Sequence, residues 1–164
     1  IAEELALRHP DRVNNLILYA AHCNAALFPP APEVIQKLTD MSGSPKEQGM
    51  RFISTLFPSA WLRDNPERIK EIFYRPLGSI SPETMNKQSM AIGKWKGCCD
   101  RLGEIKNSTL VITGADDMLV PPQNAHYLAE KIPNARLVSH ENGGHGLMFQ
   151  YPEIFSKKVV DFLK

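Results

Sequence analysis

Two short stretches hold the residue types that could move protons. The first is Gly114-Ala115-Asp116-Asp117-Met118-Leu119-Val120-Pro121-Pro122, where an apolar run breaks into glycine, two carboxylates and a proline pair. The second is His140-Glu141-Asn142-Gly143-Gly144-His145-Gly146, where a histidine stands among glycines that put few side chains in its way. A carboxylate beside an imidazole fixes its tautomer and stabilises the ring once protonated. The imidazole can then take a proton from a nucleophile and return it to a leaving group. Asp116 or Asp117 with His145 would make half of such a relay. Of the other histidines, His22 follows the first apolar run and could line a pocket. His9 and His126 read as structural or solvent-facing.

The relay needs both loops to leave neighbouring strands at the same edge of a sheet. Thr109–Thr113 reads as a strand ending at Gly114, and Arg136–Ser139 as a second, short one. Between them Gln123–Ile132 is an amphipathic helix, with Ala125, Leu128, Ala129 and Ile132 on one face. Upstream, Ile1–His9 reads as the end of a helix, with Ile1, Leu5 and Ala2 or Ala6 on one face and Pro10 stopping it. Val13–Ala20 reads as a strand buried on both faces. Pro152 opens a last helix whose Phe155, Val159, Phe162 and Leu163 recur at helical spacing.

Residues 23–100 differ from the rest. No strand is visible there, and prolines separate short helices predicted over Val34–Leu38, Gly49–Phe57, Pro66–Phe73 and Pro82–Lys94. Asn65 and Ser81 are candidate N-caps. The full order predicts an α/β fold with parallel strands, right-handed crossovers and a site beyond the carboxyl ends of the strands.

Composition narrows the function classes. The 164 residues are 43% apolar and 23% charged, enough for a core and unlike a disordered chain. A net charge of +1 gives no electrostatic footprint for nucleic acid or an anionic membrane. The longest apolar run, Leu16–Ala21, is too short to span a bilayer. Cys23, Cys98 and Cys99 are an odd set with one adjacent pair, a poor disulfide framework. A reducing, cytoplasmic compartment is the expectation, with Cys98-Cys99 inert. No Cys/His spacing suits a metal, and no metal ion or cofactor is expected.

At this point the residues resemble a family. I-A-E-E-L-A-L-R-H-P-D-R-V-N-N-L-I-L-Y-A-A resembles the helix and strand that follow the nucleophile elbow of α/β-hydrolase fold enzymes. T-L-V-I-T-G-A-D-D-M-L-V-P-P resembles their acid-bearing strand and loop, and N-G-G-H-G-L-M-F-Q-Y-P their histidine loop. The resemblance implies a partial α/β-hydrolase fold, with residues 1–22 and 101–164 as core and 23–100 as a helical cap. It makes Asp117, three residues after Gly114, the catalytic acid and His145 the general base. Asp116 would face solvent or cap the turn, and His140 matches nothing catalytic. Trp61, Met90 and Trp95 from the cap, with Phe149 after His145, are candidate substrate-binding residues. Phe57 and Phe73 could join them, although apolar residues at helical spacing also suit a core. Met148 and Phe149 could buttress His145. Arg63, Glu67, Arg68 and Lys70 read as a solvated helix face.

The family places its nucleophile in G-x-S-x-G on a strained strand-to-helix turn. That motif is absent; Gly43-Ser44 and Gly78-Ser79 lack its spacing. The chain starts at Ile1, inside a helix. The resemblance therefore puts the nucleophile upstream of Ile1: a Ser, or an Asp as in the family's epoxide hydrolases and dehalogenases. The parent would hydrolyse small esters, amides or similar carbonyl compounds, and this chain alone would be inactive. The competing expectation is a truncated, non-catalytic module that works by binding or assembly. In either case, strand 13–20 is expected to present an apolar edge through which two copies pair.

Overall fold

The computed structural model describes residues 1–73 and 81–164. The Gly78-Ser79 dipeptide lies outside them. Helix α1 (Ala2–Arg8) leads through a 3-10 turn into strand β1 (Asn15–Tyr19). Helices α2 (Pro32–Thr39), α3 (Pro45–Leu56), α4 (Ser59–Asp64), α5 (Pro66–Phe73) and α6 (Pro82–Lys94) follow. A 3-10 segment over Cys99–Glu104 returns the chain to β2 (Ser108–Gly114), α7 (Gln123–Lys131) and β3 (Ala135–His140). Helices α8 (Leu147–Gln150) and α9 (Pro152–Leu163) complete the described elements.

Among the described residues the strands form one parallel sheet in the order β1-β2-β3, with Leu18 opposite Val111 and Val111 opposite Leu137. Side chains alternate across the sheet, so each strand feeds two cores. Leu16, Leu18 and Val111 pack with Ala6, Leu102, Ala125, Leu128 and Ile132 on the α1/α7 face. Leu110, Ile112 and Leu147 pack with Ile17, Tyr19, Phe155 and Val159 on the α8/α9 face. Each fully buried aliphatic side chain here contributes about 1.5–3 kcal/mol. β1 is less enclosed than its sequence implies. Leu16 and Leu18 are buried, but Ile17 and Tyr19 are only half-buried.

Among its described residues the insert between β1 and β2 holds helices joined by turns and no strand, and it has its own small core of Ile53, Phe57 and Trp61. Ser44 and Glu47 form a reciprocal cap at the start of α3, and Ser81 accepts from Thr84 N at the start of α6. Asn65 donates its amide back to the Trp61 carbonyl. Helix α4 escapes the sequence reading because it is only six residues long and lies between prolines.

Two expectations need correction. Helix α1 turns Glu3 and Ala6 inward, while Ile1 and Leu5 are exposed. The reason is tertiary: Glu3 receives the Cys98 thiol and Ala6 packs against the sheet, so of the positions named at helical spacing only Ala6 is buried. Cys23 and Cys99 form a disulfide across 76 residues, with Cys98 left free and buried. It joins the two ends of the insert, where Cys98 N also bonds the Cys23 carbonyl at 2.9 Å. The cysteine count thus no longer argues for a reducing compartment. Among the described residues no helix is long and apolar enough to cross a membrane.

Candidate active site

β2 and β3 are paired to their last residues, Gly114 opposite His140, so the loops that follow leave the sheet side by side. Backbone bonds lock those loops together: Ala115 N to the His140 carbonyl at 2.9 Å, and Asp116 N to the Gly143 carbonyl at 2.8 Å. The contact demands glycine at 114, because a Cβ there would stand 2.1 Å from the Gly143 oxygen. Gly146 meets the insert just as closely; its Cβ would fall 2.3 Å from the Phe57 ring.

Asp117 is buried at the turn and uses both carboxylate oxygens. Oδ1 accepts from Leu119 N at 2.9 Å and Val120 N at 2.8 Å, and Oδ2 lies 3.0 Å from His145 Nδ1. It therefore caps its own turn and orients a histidine at once. The His145 side chain keeps 28% of its surface exposed while that of Asp117 keeps none. With Nδ1–H donated to the carboxylate, the opposite ring nitrogen is free to accept a proton.

The loop is held from three further sides. Tyr19 donates its hydroxyl to the His145 carbonyl and accepts from Met148 N. Burial pushes the Tyr19 hydroxyl up to about 12, so it remains a donor at neutral pH. Gln150 Oε1 accepts from Gly144 N at 2.7 Å, and its amide donates to the Asn142 carbonyl. Gly146 N donates to the Leu56 carbonyl of α3 at 2.8 Å. Tyr19 and Gln150 carried no signal in the sequence, since each meets the loop only through the fold.

Beside the acid loop lies a cleft of about 940 Å³ walled by α1, the end of β1, α6 and Val120. Its surface is mainly apolar, yet Glu3, Glu4, Arg8, His9 and Gln88 line it alongside His22 and Trp95. Ala20, on its rim, sits at φ 46° and turns the chain from β1 into the cleft. Among the described residues no group of three His, Cys, Asp or Glu side chains could hold a metal ion.

The α/β-hydrolase fold profile matches residues 1–152. The chain belongs to the α/β-hydrolase fold family. A relative in Caulobacter sp. (strain K31), provisionally named carbamate hydrolase RutD, is 31% identical over 97% of this chain and 59% of its own length. A 2-hydroxy-6-oxo-6-phenylhexa-2,4-dienoate hydrolase of Burkholderia cepacia is 27% identical over 99% of this chain and 58% of its own. The structure of a hydrolase from Pseudomonas aeruginosa PA01 superposes with a TM-score of 0.76 at 26% identity, over 99% of this chain and 60% of that one. The chain thus spans about three fifths of the length of these α/β-hydrolases.

Within this α/β-hydrolase frame the sequence candidates separate. Asp117 and His145 meet. Asp116 is exposed, and His140 stacks on Tyr151 with ring centroids 4.4 Å apart. Trp95 lines the cleft, and His22 and His9 border it. Trp61 instead stacks on Phe57 at 5.0 Å inside the insert's core, where Phe73 meets Phe57 edge-on. Met90 is 60% exposed on α6, and Phe149 and Met148 are exposed on α8. Helical rotation explains Met90: its neighbours Ala91 and Ile92 line the cleft. Arg63, Glu67, Arg68 and Lys70 lie on exposed helix faces, with ion pairs to Asp64 and Glu71 and between Glu67 and Lys70.

Proposed function

We propose that this chain carries the acid and the base of an esterase-like hydrolase. The supporting observation is the 3.0 Å contact between a fully buried Asp117 and a partly exposed His145, with Asp117 Oδ1 engaged by backbone N–H groups. In this reading His145 activates a serine that lies upstream of Ile1. Asp117 holds its tautomer, and the helical insert acts as a cap that shapes the pocket. The substrate is a small carbonyl compound. The names of relatives, a carbamate hydrolase and a dienoate hydrolase, support a carbonyl centre.

The test uses the complete reading frame that contains these residues. Its product should hydrolyse p-nitrophenyl acetate and be labelled by a fluorophosphonate on a G-x-S-x-G serine, while the 164-residue chain stays unlabelled. Labelling of the 164-residue chain, or hydrolysis that survives His145→Gln, would overturn the reading.

A second reading is assembly of two copies through residues 13–20. What supports it is that, among the described residues, β1 pairs with β2 on one side only, beside a groove lined by Leu5, Leu16, Ile17 and Leu163. Light scattering at high concentration decides it: a monodisperse monomer rejects it.

A further inference from the structure

The cleft contains a polar atom that the relay does not use. His22 lies three residues beyond β1, and its Nδ1 is buried with no hydrogen-bond partner among the described residues. Buried polar atoms in native structures are almost always paired, so an unpaired one on a cleft wall points to a group that arrives from outside. The ring faces the Trp95 indole, with centroids 6.0 Å apart. Leu5, Leu18, Ala20 and Val120 complete an aliphatic wall around the two rings.

Of the neighbouring polar groups, the Trp95 indole and the Glu4 carboxylate are engaged, while Glu3 Oε1 is not. Trp95 Nε1 donates to Glu4 Oε1 at 3.0 Å, so the indole N–H is not available to a ligand. Arg101 and Arg8 close on the same carboxylate. Burial lowers the His22 pKa below its usual 6.5, leaving a neutral imidazole at pH 7. A neutral ring suits an uncharged partner better than an anion. Val120 connects this wall to the relay, because its N–H caps Asp117.

We propose that His22 is a specificity-determining residue that hydrogen-bonds an uncharged hydroxyl or amide on a substrate whose apolar body lies against Trp95. The substrate class is a small carbonyl compound that is apolar except for one further neutral polar group. This assignment rests on the hydrolytic reading of the Asp117–His145 site, but its test measures binding and no turnover.

The probes are p-cresol and toluene, which differ by one hydroxyl, titrated into the intact 164-residue chain. Without any substitution, the His22 ring nitrogen resonances should shift on adding p-cresol in a way that toluene does not reproduce. His22→Leu should weaken p-cresol binding about tenfold, the loss of one net hydrogen bond, and leave toluene within about twofold. His22→Asn should restore most of the p-cresol affinity. Glu3→Gln is the competing arm, because Glu3 Oε1 is another buried polar atom left unpaired at this cleft; the preference should persist in it, and its loss there would assign the hydroxyl to Glu3. The proposal is overturned if neither probe binds, if His22→Leu weakens both probes equally or neither, or if Glu3→Gln abolishes the preference. Retained toluene binding reports that the variant has folded. Failure of the hydrolytic reading would show in the ester assay alone, with these binding results unchanged.

Discussion

Asp117 and Glu3 are both buried carboxyl groups, one at the end of a strand and one inside a helix, and their surroundings differ sharply. Asp117 has two backbone N–H donors and an imidazole, so neither oxygen is left unpaired. Glu3 has one weak donor, the Cys98 thiol at 3.2 Å, and its other oxygen has no partner among the described residues. Burial raises the pKa of Glu3, and it also pushes the Cys98 thiol up to about 12. Next door, Glu4 is held down to about 2 by the Trp95 indole and the Arg101 guanidinium. The Asp117 side chain accepts from N–H groups of the turn that follows it, whereas Glu3, in the first turn of α1, accepts only from the Cys98 thiol although the N–H groups of that turn have no intrahelical partner. A buried carboxylate in a turn can therefore be fully paired and still hold a histidine. In a helix it depends on what the rest of the fold brings to it.

The sharpest break of this contrast is Asp117→Asn in the complete enzyme. Losing the carboxylate that fixes the His145 tautomer should lower kcat by about 10⁴-fold, the magnitude seen when a triad acid is neutralised. Glu3→Gln should leave kcat within about twofold. Ester hydrolysis by both variants checks it, and equal losses would erase the distinction.

Gly114→Ala attacks the turn rather than the carboxylate. The added Cβ meets backbone oxygens of Gly143 and Gly144, which have no rotamer by which to move away. A destabilisation of about 1–3 kcal/mol is expected, read as a fall of several degrees in Tm. An unchanged Tm would mean the acid and histidine loops are not locked together as described.

How much of this was legible in the sequence follows the same division. The strands at 109–113 and 136–139, the helix after Pro122, His145 and an acid at Asp116 or Asp117 were readable from the residues, and the family resemblance chose Asp117. Each depends on a local apolar run or on glycines and carboxylates at a strand end. Their meeting required only that the strands be neighbours. The groups that escaped are joined across long separations: Tyr19 to the His145 carbonyl over 126 residues, Trp95 to Glu4 over 91, and Cys23 to Cys99 over 76. Trp61 was a pocket candidate although its helical spacing favoured core, because spacing reveals a buried face without revealing what it faces. Glu3 carried no signal in the sequence, and only the packing of α1 against Cys98 places it inside.

Glu4→Gln tests the clamp between α1 and the end of the insert. Its carboxylate accepts from Trp95, Arg101 and Arg8, and its pKa lies below the ordinary 4.5. A depressed carboxylate stabilises the fold fully above the unfolded value and loses that contribution as pH falls toward about 2. The variant should melt about 2–4 °C lower at neutral pH. Its deficit should shrink progressively in acid below pH 4.5. A deficit that does not change with pH would assign the effect to packing.

Glu3→Gln should show the opposite slope and the smallest effect. The Glu3 pKa is raised above 4.5, so the folded chain holds a proton that the unfolded chain has released once pH exceeds that value. Its favourable contribution is therefore complete below 4.5 and lost as pH rises through the folded value. Glutamine cannot ionise, and its amide oxygen can still accept from Cys98. Its amide N–H₂ would stand where Oε1 already lacks a partner, so that mismatch cancels to first order in the difference between pH values. The variant's Tm should thus rise relative to the parent by about 1–2 °C between acid and neutral pH, measured as paired melts across that range. A flat difference would mean that Glu3 ionises as freely as a surface carboxylate, and that burial in a helix costs this chain no more than burial in a turn.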